Sequence, residues 1–158
     1  MKYLSSILGS YGLEIGVILI VPDNGSITSE VKRLAGEVDL LVVTGGLGPT
    51  SDDITRAEIA QAAGVELEMR EELWADILEK FGGVEPSESN RRQAEIPRGF
   101  FPIENTCGTA PGFYGMIEKC RIVALPGPPV ELREMARRFL ESYLTDNFEG
   151  QRGTAAVG

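Results

Sequence analysis

A continuous apolar run followed at once by a glycine-rich loop constrains the fold of this chain most strongly. The run covers residues 40–43, and the loop covers residues 44–53. An apolar run of this kind is typical of a strand that is buried on both faces, as strands are in parallel sheets. Thr55 and Glu58 then have the spacing of a capping box, which predicts that a helix begins directly after the loop.

A strand, a glycine-rich turn and a helix in this order predict a site for phosphate. Glycines let backbone N–H groups approach a ligand closely, and the N-terminus of a helix favours anions. The loop has neither the Gly-Lys-Ser/Thr ending nor the G-x-G-x-x-G pattern of the two common phosphate motifs. The alternative is that the glycines only permit a tight turn and that the threonines cap it locally. The candidate phosphate ligands are Thr44, Gly45, Gly46, Gly48 and Thr50.

The remaining pattern alternates between strands and helices, which predicts an α/β fold. Such alternation implies a mostly parallel sheet with helices on both faces, a three-layer α/β/α arrangement. One domain is expected over residues 1–146, and the small and polar tail at 147–158 is expected to be disordered. Further strands are predicted near 15–21, 100–103, 112–117 and 120–125, and a final helix near 130–144.

Composition excludes several classes of function. The chain has 158 residues, a formal net charge of −9 and a pI near 4.6, which argues against a nucleic-acid or membrane-surface binder. It has no histidine, so Ser-His and Cys-His nucleophile pairs and His-ligated zinc are excluded. Cys107 and Cys120 are too far apart for a C-x-x-C motif and indicate small, buried, reduced thiols in a cytoplasmic protein. No apolar run approaches the length of a membrane span.

The order of the elements places three turns at one edge of the sheet. In parallel α/β folds ligands bind beyond the carboxyl ends of the strands. The turn at 23–25, the glycine-rich loop and the turn at 126–131 should therefore converge there. Asp23 and Gly127 join the candidate phosphate ligands for this reason.

Acidic residues beside the expected phosphate site predict a metal ion. An anion site without His or Lys needs a cation, and adjacent carboxylates facing phosphates are natural ligands for Mg²⁺-like ions. Asp52, Asp53 and Glu131 are the candidate metal ligands, and Glu131 is also a candidate general base. The alternative for each is a carboxylate that stabilises a helix N-terminus by capping or through the dipole.

The loop string T-G-G-L-G-P-T-x-D-D at residues 44–53 resembles the signature loop of the molybdopterin-binding-like superfamily, which includes MoaB and Mog. In its Leu-Gly-Pro-Thr form it is most similar to the N-terminal domain of the CinA, or competence/damage-inducible, family. Four further segments resemble motifs of that family in the right order, and together they cover most of residues 3–144. They are residues 90–94, 96–99, 105–113 and 125–132.

The resemblance implies functions for the segment at residues 90–94. Asn90, Arg91 and Gln93 would otherwise be taken as a solvated helix face. Their match to a family motif favours contact with the ligand, with Arg91 clamping a phosphate. The fold implied is that of MoaB and Mog. Family members commonly self-associate, so the resemblance also implies a homo-oligomer, a dimer or a trimer.

For activity, the resemblance implies a metal-dependent pyrophosphatase. The substrate would be a small phosphorylated nucleotide of the ADP-ribose or FAD type, and Mg²⁺, Mn²⁺ or Co²⁺, with potassium as a further ion, would assist. Asp53, Glu131 and Arg91 would be the catalytic residues. The alternative is a non-catalytic module that binds molybdopterin or a related phosphorylated pterin.

Two departures from the CinA pattern bear on activity. Family members usually begin with a strand carrying a Gly-Thr-Glu motif, and that strand is missing before Tyr3. Its loss would leave an inactive fragment as a third possibility. Full-length members also carry a C-terminal domain that deamidates nicotinamide mononucleotide, and nothing after Leu144 could encode it.

Overall fold

The computed structural model describes residues 2–22, 25–148 and 153–158. Within them a six-stranded sheet has the order β1-β8-β2-β7-β6-β5, and β3 pairs with β4 in a separate ladder. The strands are β1 Leu13–Ile18, β2 Leu40–Thr44, β3 Leu67–Met69, β4 Glu95–Pro97, β5 Phe101–Ile103, β6 Gly112–Ile117, β7 Cys120–Leu125 and β8 Gly153–Val157. The helices are α1 Lys2–Ser10, α2 Ile27–Ala35, α3 Thr55–Ala63, α4 Glu71–Lys80, α5 Glu88–Arg91, α6 Pro129–Met135 and α7 Glu141–Phe148.

The sheet is mostly parallel and lies between two helical layers, which confirms the predicted fold class. Strands β1, β8, β2 and β7 run parallel, whereas β6 and β5 are antiparallel to their neighbours. One core packs α2, α3 and α4 against the first face, and a second core packs α1, α6 and α7 against the other. Among the described residues no helix is long and apolar enough to cross a membrane.

Strand β2 shows why the apolar run is continuous. Leu41 belongs to the core on the α2 face, whereas Leu40 and Val42 belong to the core on the α1 face. Successive side chains of a strand point to opposite faces, so a strand covered on both faces is apolar at every position. The final helix is longer than predicted, because α7 continues to Phe148; a π turn at Ala136–Leu140 joins α6 to α7 without interruption.

The prediction of a disordered tail is wrong for the described residues 153–158. Strand β8 lies between β1 and β2 and is parallel to both. Ala155, Ala156 and Val157 are buried, and the Thr154 N–H donates to the Asp39 carboxylate at 2.8 Å. Small residues looked like a tail because their local pattern is weak, yet they fit a central strand that helices cover on both faces. β8 is thus an interior parallel strand of the sheet.

The predicted capping box is also wrong. Helix α3 begins directly after the loop, as predicted, and runs from Thr55 to Ala63; Gly64 follows it in the left-handed conformation. The Glu58 carboxylate, however, accepts hydrogen bonds from the Thr28 backbone N–H at 2.9 Å and the Thr28 hydroxyl at 2.6 Å. Because Thr28 lies in the first turn of α2, Glu58 joins two neighbouring helices instead of capping its own.

Candidate functional site

The carboxyl ends of β2 and β7 border a cavity of about 300 Å³, here called the loop–turn cavity. The glycine-rich loop forms one side and the turn at Pro126–Pro128 forms the other, as the order of the elements predicts. Of the third predicted turn, Asp23 and Asn24 lie outside the described residues. The cavity is lined by Gly45, Gly46, Leu47, Gly48, Pro49, Asp53, Gln93, Thr109, Ala110, Pro126, Gly127, Pro128 and Glu131.

Glycine is required where the loop and the turn meet. Gly46 has a φ of 64°, and a Cβ there would lie 2.1 Å from the Thr55 hydroxyl oxygen. A Cβ on Gly127 would lie 3.2 Å from the Gly45 Cα, so the two backbones pass close to each other. A side chain at Gly46 would therefore be strained by both its conformation and its neighbour. The two walls of the cavity can approach because neither carries a side chain at this point.

Asp53 is held at the end of the loop and lines the loop–turn cavity. One carboxylate oxygen accepts hydrogen bonds from the Thr50 N–H at 2.9 Å and the Thr50 hydroxyl at 2.5 Å. Partial burial acts to raise the pKa of Asp53, but the bonds from Thr50 and Gly48 and the nearby Arg56 charge lower it below its usual value. Asp53 is therefore a fixed carboxylate that remains ionised at neutral pH.

Arg56 is a residue of the site that sequence reasoning missed. It is 4% exposed, and its guanidinium donates to the Leu47 and Gly48 carbonyl oxygens of the loop. Burial lowers the pKa of Arg56 to about 10, against the opposing charges of Asp53 and Glu95. The sequence contained a signal for this role, because Arg56 lies in the first turn of α3. A cation there interacts unfavourably with the helix dipole, which suggests that it has a specific partner elsewhere.

Glu131 reaches the same cavity from the turn side. Its Oε2 accepts a hydrogen bond from the Asn105 side-chain N–H at 2.6 Å. Asn105 is 1% exposed; it also donates to the Ala110 carbonyl and accepts from the N–H groups of Cys107 and Gly108. A Cβ on Gly108 would lie 2.4 Å from Glu131 Oε2, so this glycine makes room for the carboxylate. Asn105 was noticed as part of a family motif, but its link to Glu131 spans 26 positions and had no local signal.

The predicted three-carboxylate metal site is not assembled. Asp53 and Glu131 line one cavity, but Asp52 is exposed and lies outside the cavity lining. In the described part of the chain no three residues among His, Cys, Asp and Glu are grouped so that they could hold a metal ion. The two remaining carboxylates still suit Mg²⁺, which is usually bound through one or two carboxylates together with waters and substrate phosphates.

The segment at residues 90–94 is divided between the cavity and the surface. Gln93 is buried and lines the loop–turn cavity. Asn90 instead forms a capping box with Ser87. The Arg91 guanidinium lies over the Trp74 ring, 6.0 Å from its centroid, beside a separate cavity. The structure thus brings Gln93 to the site and leaves Asn90 and Arg91 outside the cavity lining.

The two threonines of the loop make internal hydrogen bonds. Thr44 donates from its N–H and its hydroxyl to the Gly158 carbonyl oxygen at 2.7 and 3.1 Å. It lines a second cavity, of about 210 Å³, on the α2 side of the loop. Thr50 bonds to Asp53, as described above. Their predicted contact with phosphate would require these hydroxyls to exchange or share their present partners.

Comparisons with known proteins identify the family and related folds. The family described as "Probable molybdopterin binding domain" matches residues 1–146. A crystal structure of the protein CinA from Thermoplasma acidophilum is similar with a TM-score of 0.84 and 30% identity, over 90% of this chain and 85% of that chain. The Mog protein of Mycobacterium ulcerans shares the fold with a TM-score of 0.53 at 19% identity, over 92% of this chain and 83% of that one.

A curated relative is a CinA-like protein from Thermosipho melanesiensis. It is 39% identical over 148 residues, which are 90% of this chain and 37% of that protein. The chain thus spans little more than a third of the length of this relative. The family match over residues 1–146 and the likeness to the Thermoplasma structure establish that the chain belongs to the molybdopterin-binding domain family and, within it, to the CinA type.

Proposed function

We propose that this domain binds a phosphorylated nucleotide of the ADP-ribose or FAD type in the loop–turn cavity and hydrolyses its pyrophosphate with a divalent metal ion. The observation that carries the proposal is the position of Asp53 and Glu131. These carboxylates line one cavity from opposite walls, and hydrogen bonds hold both of them. Fixed carboxylates beside a glycine-rich loop suit the orientation of a metal-bound diphosphate.

Binding of the phosphates depends on the loop. The chain carries a net charge of −9, so an anion must be attracted locally. The backbone N–H groups of the loop and the N-terminus of α3 supply such a local positive potential. Buried Arg56 lies behind the loop and donates to two of its carbonyl oxygens, which stabilises the loop conformation.

The two carboxylates have different roles in the proposed reaction. Asp53 and Glu131 would hold the metal ion, which, when bound, would polarise a phosphoryl oxygen and lower the pKa of bound water. The lowered pKa of Asp53 makes it a poor proton acceptor and suits it to ligation. Glu131, oriented by Asn105, is therefore the proposed general base. Arg91 as a phosphate clamp stays a prediction, since its side chain would have to leave the Trp74 ring.

Release of AMP from ADP-ribose and from FAD, with Mg²⁺, Mn²⁺ or Co²⁺, tests the proposal. Asp53→Asn should lower the rate by about 100-fold or more, because it removes a fixed charge from the site. Asp52→Asn is the matched control; it neutralises an exposed neighbour outside the cavity lining and should keep the rate within about twofold. Equal loss in both variants, or metal-independent release, would contradict the assignment.

A second candidate function is binding of a phosphorylated pterin without catalysis. It is favoured by the family description and by the fold shared with the Mog protein. The same loop would hold the pterin phosphate, and the carboxylates would have no part in chemistry. Tight binding of a pterin phosphate by a folded sample that releases no AMP from either dinucleotide would favour this function over hydrolysis.

A further inference from the structure

We propose that the cavity on the α2 side of the loop, here called the ring chamber, binds the flat heteroaromatic ring of the ligand whose phosphate lies in the loop–turn cavity. The ring chamber has a volume of about 210 Å³. It lies between α2 and the carboxyl ends of β8 and β2. This inference deepens the proposed function and depends on its phosphate site, but not on hydrolysis.

The walls of the ring chamber are mainly aliphatic. Val31 and Leu34 of α2 form one wall, and Leu41 and Val43 of β2 form the opposite wall. Val43, near the carboxyl end of β2, is only partly buried, so the chamber opens to solvent at that end of the strand. Aliphatic walls gain free energy when they bury a flat apolar face, and small-molecule pockets are lined mostly in this way.

The ring chamber adjoins the phosphate site across two glycines. Gly45 and Gly46 line both cavities. At these two glycines the loop has no side chains between the cavities. A ligand that crosses the loop there could place its phosphate in the loop–turn cavity and its ring in the ring chamber. Both cavities are at the carboxyl edge of a parallel sheet, where ligands bind in such folds. Together they reach the size range of small-molecule sites, roughly 300–1,000 Å³.

The polar groups at the chamber indicate which ring it would accept. Glu30, Thr44 and Thr55 line it beside the aliphatic walls. A carboxylate and hydroxyl oxygens can accept hydrogen bonds from ring N–H and amino groups. Adenine and pterin share this chemistry, since each is flat and carries an exocyclic amino group. The chamber therefore suits an amino-substituted heteroaromatic ring, and the experiment must distinguish the two sources.

Calorimetric binding of AMP, of a pterin monophosphate and of inorganic pyrophosphate tests the inference without turnover. Val31→Phe should fill part of the chamber and weaken binding of the ring-bearing ligand by about tenfold or more, while the pyrophosphate Kd stays within about twofold. Val84→Phe is the matched control, since Val84 is 69% exposed and lines neither cavity. It should change neither affinity.

Several outcomes would overturn the ring chamber. Unchanged AMP and pterin affinities in Val31→Phe, or an equal loss of pyrophosphate binding, would do so. So would wild-type protein that binds pyrophosphate as tightly as either ring-bearing ligand. A failed AMP-release assay with intact ring-dependent binding would contradict only hydrolysis, so the two proposals fail separately.

A direct measurement covers the case in which Val31→Phe does not fold. In wild-type protein, nuclear Overhauser contacts should join the ring protons of bound AMP or pterin phosphate to the methyl groups of Val31 and Leu34. Contacts with AMP alone would assign an adenine ring, and contacts with the pterin alone would assign a pterin. Absence of these methyl contacts in a saturated complex would overturn the inference.

Discussion

The two walls of the loop–turn cavity each hold one carboxylate, but they do so with different side chains. The loop wall, residues 45–56, presents Asp53, and the turn wall, residues 105–110 with 126–131, presents Glu131. Each wall contains a buried polar side chain. On the loop wall the buried charged side chain is the cation Arg56, next to buried Thr55, and on the turn wall the buried polar side chain is the neutral amide of Asn105.

The difference shows two ways of fixing a carboxylate. Asn105 donates directly to Glu131 and also bonds to three backbone groups of its own wall, so it fixes position. Arg56 bonds to loop carbonyls, and its charge helps to lower the pKa of Asp53. Arg56 thus acts on the charge state of Asp53, which Thr50 holds in place, whereas Asn105 acts on the position of Glu131. The cation also carries a desolvation cost that the amide avoids.

Alanine at the glycines of the two walls should have large and unequal effects on stability. Gly46→Ala should lower the free energy of unfolding by about 3 kcal/mol, because the new Cβ meets Thr55 and the residue has a positive φ. Gly127→Ala should cost only about 1 kcal/mol, since its Cβ meets the Gly45 backbone at a less severe 3.2 Å. Urea unfolding measures both. Equal costs would show that the walls can shift apart.

Removal of the two buried polar residues should give a difference of similar size. Asn105→Ala should lower the free energy of unfolding by about 3 kcal/mol, because it leaves the buried Ala110 carbonyl and two partly buried N–H groups without their side-chain partner. Arg56→Met should cost about 1 kcal/mol, because the lost hydrogen bonds are partly offset by relief of the buried charge. The reverse order in urea unfolding would contradict the comparison.

The pH dependence of stability should depend on the loop wall. Since the folded pKa of Asp53 is lowered, its contribution is present above the unfolded pKa of about 4 and is lost as pH falls through the folded pKa. Because solvent screens this partly exposed group, its contribution should be only about 0.5 kcal/mol. The stability difference between wild type and Asp53→Asn should therefore shrink as pH falls below about 4. In Arg56→Met the stability that ionised Asp53 contributes should begin to be lost at a higher pH. Identical curves of unfolding free energy against pH for wild type and Arg56→Met would argue against an effect of the Arg56 charge on Asp53.

The smallest effect concerns the cysteines. The sequence predicted two buried thiols, but Cys107 on the turn wall is exposed, whereas Cys120 is buried. Burial raises the pKa of Cys120 to about 12, so an alkylating reagent near neutral pH should modify Cys107 alone. Cys107→Ser should change the free energy of unfolding by less than about 0.5 kcal/mol. Mass spectrometry after alkylation identifies the site, and rapid modification of Cys120 would contradict its burial.

Local pattern was sufficient for the elements that form the loop wall. The apolar run at 40–43 and the three glycines are adjacent in sequence, so periodicity and turn chemistry indicate them directly, whereas the start of α3 was predicted from a capping box that does not form. The alternation of elements predicted that the turn at Pro126 and the loop lie at one edge of the sheet, and the pairing of β2 with β7 places them side by side. Asp53 and Glu131 were found in this way.

Tertiary structure decided the long-range partners. The Glu58–Thr28 contact, the Asn105–Glu131 contact and the pairing of β8 with β1 and β2 join residues that no local spacing relates. A carboxylate near a helix start can either cap its own helix or bond to a residue that is distant in sequence. Tertiary packing determines which of these two contacts forms. The sequence by itself determined a buried strand, a glycine-rich loop and a helix of CinA type. Only the folded chain determined which polar side chains support the loop, because those contacts form when separate elements pack together.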